Sequence, residues 1–444
     1  MKKKKMISVF ALSAVSAGAL SAAEPIVSNV KAVQGLGSRN VTVSYTLSNE
    51  PAVITVDVQT NRGDDVWVSI GAERQMNITG DMNKLVQPGS RAIVWKARND
   101  WPDQLITGGN IRFAVSAWTT NAPPDYMVVD LNAATPAESV TYYASTNFIP
   151  GGVADVRYKT THILMRKIPA AGVKWKMGSP EDESGRMTDW NGALWEKQHD
   201  VILSDDYYMA VFETTQKQFS KFNPWHRSHP NNSQSIDGLT ASPIYDTYPL
   251  NRMYYTNFRG TDKGLGWPEN HDVDDSSYIG MLRAATGLEF DLPTEAQWEF
   301  ACRAGTTSAY CCGFESTGKP NEHIYSIEGI GEYAVFTYNK VGTMSPVGQK
   351  KPNNFGLYDM MGNVREMCLD WKGDYPADGG TYVDPRGAKK PVSLNLDADS
   401  VVIIRGGFYN SIADHLRSAA RATCKVNNWD DSVGFRLVCP AVAK

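Results

Sequence analysis

The chain has 444 residues, with 42% hydrophobic and 21% charged side chains and a formal net charge of −4. That length is too great for one ordinary core and implies two domains. Mild acidity, with no basic run beyond the first residues, argues against nucleic acid or an anionic lipid surface as partner. Twelve tryptophans, 20 tyrosines and 37 glycines point to a loop-rich, aromatic-packed fold rather than a helical bundle.

The first elements concern export. Lys2 to Lys5 are basic, residues 6–20 are apolar, and Ser21-Ala22-Ala23 precede Glu24. This pattern predicts a secretory signal over residues 1–23, removed before folding. The apolar run is short for a bilayer span, and no later stretch is apolar enough to make one. The expected location is therefore secreted, periplasmic or cell-surface, with no membrane span.

Residues 24–135 alternate. Val41, Val43, Tyr45 and Leu47 are separated by polar residues, as are Ile54, Val56 and Val58, and Ile111, Phe113, Val115 and Ala117. Short runs at 66–70, 92–95 and 127–129 add further strands. Such spacing, broken by Gly, Asn, Asp and Pro, predicts an antiparallel β-sandwich of immunoglobulin or fibronectin type. Arg62-Gly63-Asp64 matches an integrin-binding tripeptide. It also reads as a turn using glycine's backbone freedom, and accidental matches to so short a motif favour the turn. Residues 136–160, punctuated by Pro136 and Gly151-Gly152, read as a connection.

A second domain is expected over 161–444. Residues 196–203 and 207–213 read as paired strands. Thr214 or Thr215 caps a helix running to Phe222. Residues 278–286 carry helical apolar spacing. Thr294 with Gln297 forms a capping box for a helix ending at Gly305. Asp272, Asp274 and Asp275 lack the Gly and Glu of an acidic calcium loop and favour the next helix's N-terminus instead. His226 and His229, three apart between prolines, have no identifiable third ligand and read as loop residues rather than an iron pair. The six cysteines, Cys302, Cys311, Cys312, Cys368, Cys424 and Cys439, all fall in this domain and contain no C-x-x-C. Some can pair in an exported protein, with the connectivity left open.

Residues 401–438 close the chain: an apolar strand at 401–404, Arg405-Gly406-Gly407, Arg417 and Arg421, then Gly434-Phe435-Arg436-Leu437-Val438 as a returning strand. Four guanidiniums in such a stretch call for carboxylate partners inside the fold. This closing pattern, with LPTEAQWEFACRAG at 292–305 and NFGLYDMMGNVRE at 354–366, resembles the formylglycine-generating enzyme family, also called sulfatase-modifying factors. The resemblance covers about 163–438 and implies a loop-rich relative of the C-type lectin fold. The whole chain is then α+β: an immunoglobulin-like sandwich followed by that domain.

The family's active members bind copper through two cysteines after the glycine pair and oxidise a substrate cysteine with dioxygen. Those positions fall at Ser411 and Leu416, and a family serine falls at Phe408. A hydroxyl and an isobutyl group cannot replace two soft thiolates, so no copper is expected. The resemblance also places calcium at Asn363 and Glu366, both hard oxygen donors. The alternative is a turn whose Glu366 pairs with an arginine of the closing stretch. A second family calcium position falls on Val335, which lacks a donor side chain. The sequence thus predicts a binding or scaffold protein with a glycan or protein ligand. Its rival is a metal-dependent oxidoreductase, iron or copper, acting on a protein or small thiol. That rival needs substitute ligands near Ser411 and Leu416, and His415 and Cys424 are the nearby candidates.

Overall fold

A strand with alternating apolar residues has one side to bury, and two such sheets facing each other can bury both. The computed structural model describes residues 6–7, 24–35, 37–102, 109–186, 195–222, 245–318, 323–390, 400–427 and 430–443. His226, His229 and nearly all of 1–23 lie outside these residues. The described residues are mostly strand and loop, with a few short helices. They divide into two units. One comprises Met1–Val128, Val140–Asp155 and Ala441–Lys444, the other Val129–Ser139 and Val156–Pro440.

In the first unit, Ile26–Gln34, Val41–Ser48, Gly89–Trp95 and Ile78–Gly80 form one antiparallel sheet. Ala52–Asn61 pairs antiparallel with Ile111–Thr119, Trp67–Ser69 and Leu85–Val86 in a second. Val43, Tyr45 and Trp95 of the first sheet share one core with Ile54, Val56 and Phe113 of the second. Strand Ile26–Gln34 has no clean alternation, because its register shifts between Ser28 and Lys31 and Asn29 takes φ 53. The Arg62-Gly63-Asp64 tripeptide sits in a turn: Arg62 N donates to the Val66 carbonyl, Val66 N donates to the Gly63 carbonyl, and Gly63 has φ 105.

The segment 136–160 is more ordered than a connection. Pro136–Ser139 is helical, Val140–Tyr143 is a strand, and Tyr142, Ile149 and Tyr158 are buried. Buried apolar side chains fix this backbone despite its Pro and Gly punctuation.

In the second unit, His162–Ile168, Tyr207–Ala210 and Val438–Pro440 form one ladder. Lys174–Met177, His199–Ile202 and Thr381–Val383 form another. Arg421–Lys425, Val401–Arg405, Arg365–Trp371 and Val433–Gly434 form a third. The strands expected to pair at 196–203 and 207–213 therefore join different ladders. All four residues of Tyr207–Ala210 are buried, as suits a strand paired on both edges. The closing return is also split, and Val401–Arg405 lies antiparallel to both Arg365–Trp371 and Arg421–Lys425.

The helix ends follow the sequence. Thr215 and Thr294 each form the full capping box, with Gln218 and Gln297 respectively. Ser277 caps Tyr278–Thr286, which stops at Gly287 with φ 68. Asp274 does not serve that helix. Its carboxylate accepts from the backbone N–H groups of Thr261, Asp262 and Lys263, so it holds a neighbouring loop. No helix among the described residues is long and apolar enough to cross a membrane.

Candidate functional site

Strand Val401–Arg405 ends on the two glycines, at φ 92 and 68. A Cβ on Gly407 would lie 2.7 Å from both the His415 carbonyl oxygen and the Leu416 side chain. Only glycine lets the following loop fold back this closely. The loop is then pinned by its backbone. Tyr409 N donates to the Asn363 carbonyl at 2.9 Å, and Thr337 N to the Ser411 carbonyl at 3.1 Å.

All four arginines of the closing stretch are buried and carboxylate-paired. Arg405 donates to Glu295 at 3.1 Å and Glu299 at 2.5 Å. Arg417 bridges Glu183 at 2.7 Å and Glu196 at 2.8 Å. Arg421 holds Glu295 at 2.6 Å and packs 3.9 Å from the Tyr375 ring centre. Arg436 meets Glu366 at 2.6 Å and donates to the carbonyls of Ala210, Val211 and Tyr358. Burial alone would raise the Glu299 carboxyl, but Arg303 and Arg405 outweigh it and hold it below its ordinary value. Helix Glu295–Arg303 thus anchors the closing strand through Glu295 and Glu299, one turn apart.

Asn363 and Glu366 are both deeply buried. The Glu366 carboxylate accepts from Arg436 and, at 2.7 Å, from the Trp298 indole. The Asn363 amide oxygen accepts from Ser345 N at 2.9 Å, and its amide nitrogen donates to Glu213 at 2.6 Å. These donors do not fit calcium. Both Glu366 oxygens already receive N–H groups, and a guanidinium stands where a cation would be needed. Glu366 makes instead the arginine pairing that was the alternative. Val335 contributes only its carbonyl, which accepts from Asn363 N at 2.9 Å. Among the described residues no group of three or more His, Cys, Asp or Glu is placed to hold a metal.

Three further acids in this unit carry a cost. Burial, then Asp359 and Glu366, pushes the Glu213 carboxyl well above its ordinary value. Burial pushes Asp359 to about 6. Burial and then Glu295 push Asp370 to about 8.

The positions that the family resemblance assigns to catalysis lie in one loop. Ser411 is buried, and its Oγ accepts from Phe408 N at 3.1 Å, closing a turn. Leu416 is wholly buried within the main core. Phe408 is half-buried. The Arg365 guanidinium lies 4.1 Å from its ring centre, and Tyr409 meets it edge-on at 5.2 Å. A hydroxyl committed to a turn and a packed isobutyl group do not fit copper. Beside them lies a cavity of about 60 Å³ lined by Arg365, Gly406, Gly407, His415 and Arg421 among others. Burial, then Arg365, depresses the His415 imidazole. Cys424 is not part of this lining.

Sequence reasoning missed the carboxylate partners Glu183, Glu196 and Glu213. It could have found Glu295 and Glu299, which stand four apart on a recognised helix. Arg365 was visible only as a departure from the usual motif.

Residues 132–441 match the Sulfatase-modifying factor enzyme 1-like domain. The chain is 28% identical to the chaperone protein LppX of Paenibacillus barcinonensis, over 44% of this chain and 72% of that one. It is 30% identical to the formylglycine-generating enzyme of Mycobacterium tuberculosis, over 41% of this chain and 62% of the enzyme. For the enzyme of Thermomonospora curvata the figures are 34%, 38% and 55%. Among solved structures, Treponema denticola variable protein 1 aligns with TM-score 0.45 and 24% identity, over 63% of this chain and 96% of that one. PvdO from Pseudomonas aeruginosa aligns with TM-score 0.44 and 23% identity, over 63% and 94%. By the extent of the domain match, the chain belongs to the sulfatase-modifying factor enzyme 1-like family.

Proposed function

We propose that the protein is an exported binding or scaffold protein whose sulfatase-modifying-factor domain has given up formylglycine formation. Its first 23 residues direct export, and its first unit is an immunoglobulin-type sandwich. The observation that carries this reading is the pair at the family's copper positions. Ser411 spends its hydroxyl on the Phe408 backbone, and Leu416 is core.

The surface over these positions supports recognition. Phe408 stacks with Arg365, and Lys340 lies 5.4 Å from the Tyr409 ring centre while donating to Asn410 at 2.5 Å. Tyr338 nearby in sequence is 57% exposed. Aromatic rings edged by cations and an amide suit an extended peptide or a glycan. The Paenibacillus relative is a chaperone protein, which favours a protein ligand. Arrays of peptides and glycans probed with the wild type and with Phe408→Ala and Tyr409→Ala test this. Binding lost in either variant is the expected result. No ligand on either array, or binding that both variants keep, would contradict it.

A further inference from the structure

The outer face of the first unit's second sheet is hollow. Strands Ala52–Asn61 and Ile111–Thr119 set Thr55 opposite Ser116, Asp57 opposite Ala114 and Val53 opposite Trp118. Ile54, Val56, Val58, Phe113 and Val115 face the core. Alternation therefore turns Thr55, Asp57, Ala114, Ser116 and Trp118 outward. The small side chains in the middle keep the floor low. Residues from 72–83 and from 141–150 supply the walls, and together they enclose about 430 Å³. That is the size of a small-ligand site rather than a packing defect.

Its chemistry is specific. The Trp118 indole N–H donates to Thr55 Oγ1 at 2.9 Å, which fixes the ring. Tyr143 and Phe148 line the same cavity. Asp57 Oδ1 accepts from Ser69 Oγ at 2.6 Å and Gln75 Nε2 at 3.3 Å, and its Oδ2 accepts from Gln59 Nε2 at 2.7 Å. Oδ2, with one donor, keeps a further acceptor direction for a ligand hydroxyl. Among the described residues that line it, Asp57 is the one charged side chain, and none is Lys, Arg or His. An anionic ligand would meet a carboxylate and no counter-charge.

The hollow is lined by side chains of the sheet face and by residues of 72–83 and 141–150. An amphipathic neutral ligand, with apolar ring faces and hydroxyls, fits aromatic walls and a lone hydroxyl acceptor. We infer that this cavity binds a short neutral saccharide. The inference concerns the first unit alone and does not rest on the reading of the Phe408 surface.

The test titrates the full exported chain with neutral di- and trisaccharides of glucose, galactose, mannose and N-acetylglucosamine, by saturation-transfer NMR and calorimetry. Ser116→Trp fills the hollow, and Ala114→Leu fills it less if the larger ring prevents folding. Asp57→Asn removes the charged acceptor. Binding by the wild type, weakened roughly tenfold or more in these variants, is the expected outcome. No saccharide bound at millimolar concentration would overturn the inference. So would saccharide binding that the filled variants retain, or a peptide that they alone exclude.

Discussion

The arginine frame and the loop at 408–416 lie in the same closing stretch and have different fates. In the frame, Arg405, Arg417, Arg421 and Arg436 each meet a buried carboxylate. In the loop, the positions that carry family chemistry are given to a turn hydroxyl and a core side chain. A buried charge without its partner is too costly to keep, so the frame changes only as pairs. A thiolate that serves only chemistry leaves no structural debt when it goes. On the proposed reading the fold outlasts the reaction, and the one is not read from the other at this loop.

That contrast is broken most sharply in the frame. Arg417→Ala leaves Glu183 and Glu196 buried without their cation, and stability should fall by about 3–5 kcal/mol in urea denaturation. A loss below about 1 kcal/mol would mean that water reaches the pair. In the loop, Phe408→Ala removes a half-buried ring and its contact with Arg365. The expected loss is smaller, about 1–2 kcal/mol, and a core-sized loss would make the ring part of the core.

A third test uses pH. Asp370 has its proton affinity raised from an ordinary value near 3.8 to about 8 by burial and then Glu295. Between those values the folded state holds more protons than the unfolded one, so stability falls as pH rises through that window. Glu213 and Asp359 act in the same direction. Asp370→Asn keeps an acceptor for Glu295 N and should flatten part of the decline in denaturation series across that range. An unaltered slope would mean that Asp370 is ionised in the fold. The smallest effect concerns calcium. With Glu366 committed to Arg436 and Trp298, chelation should leave the melting temperature unchanged, and a chelator-dependent drop would restore calcium to Asn363 and Glu366.

Much of this was legible. Alternation located the main strands of the first unit, and the Thr294–Gln297 box located its helix, because both signals are local. The frame's partners were not legible, since Glu183 and Glu196 lie 234 and 221 residues from Arg417. Strand Ile26–Gln34 was hidden by its register shift. The absence of cysteine could be read at Ser411 and Leu416, but not where those side chains turn. The cavity above Thr55 and Ser116 was also hidden, because small outward residues look like ordinary surface until the walls are in place.

The central claim is that the closing loop no longer makes formylglycine. Incubating the protein with a sulfatase-motif cysteine peptide, copper and dioxygen, and weighing the peptide by mass spectrometry, tests it most directly. The peptide should keep its cysteine mass at the level of a no-protein control. Conversion of the cysteine to the aldehyde above that control would contradict the account.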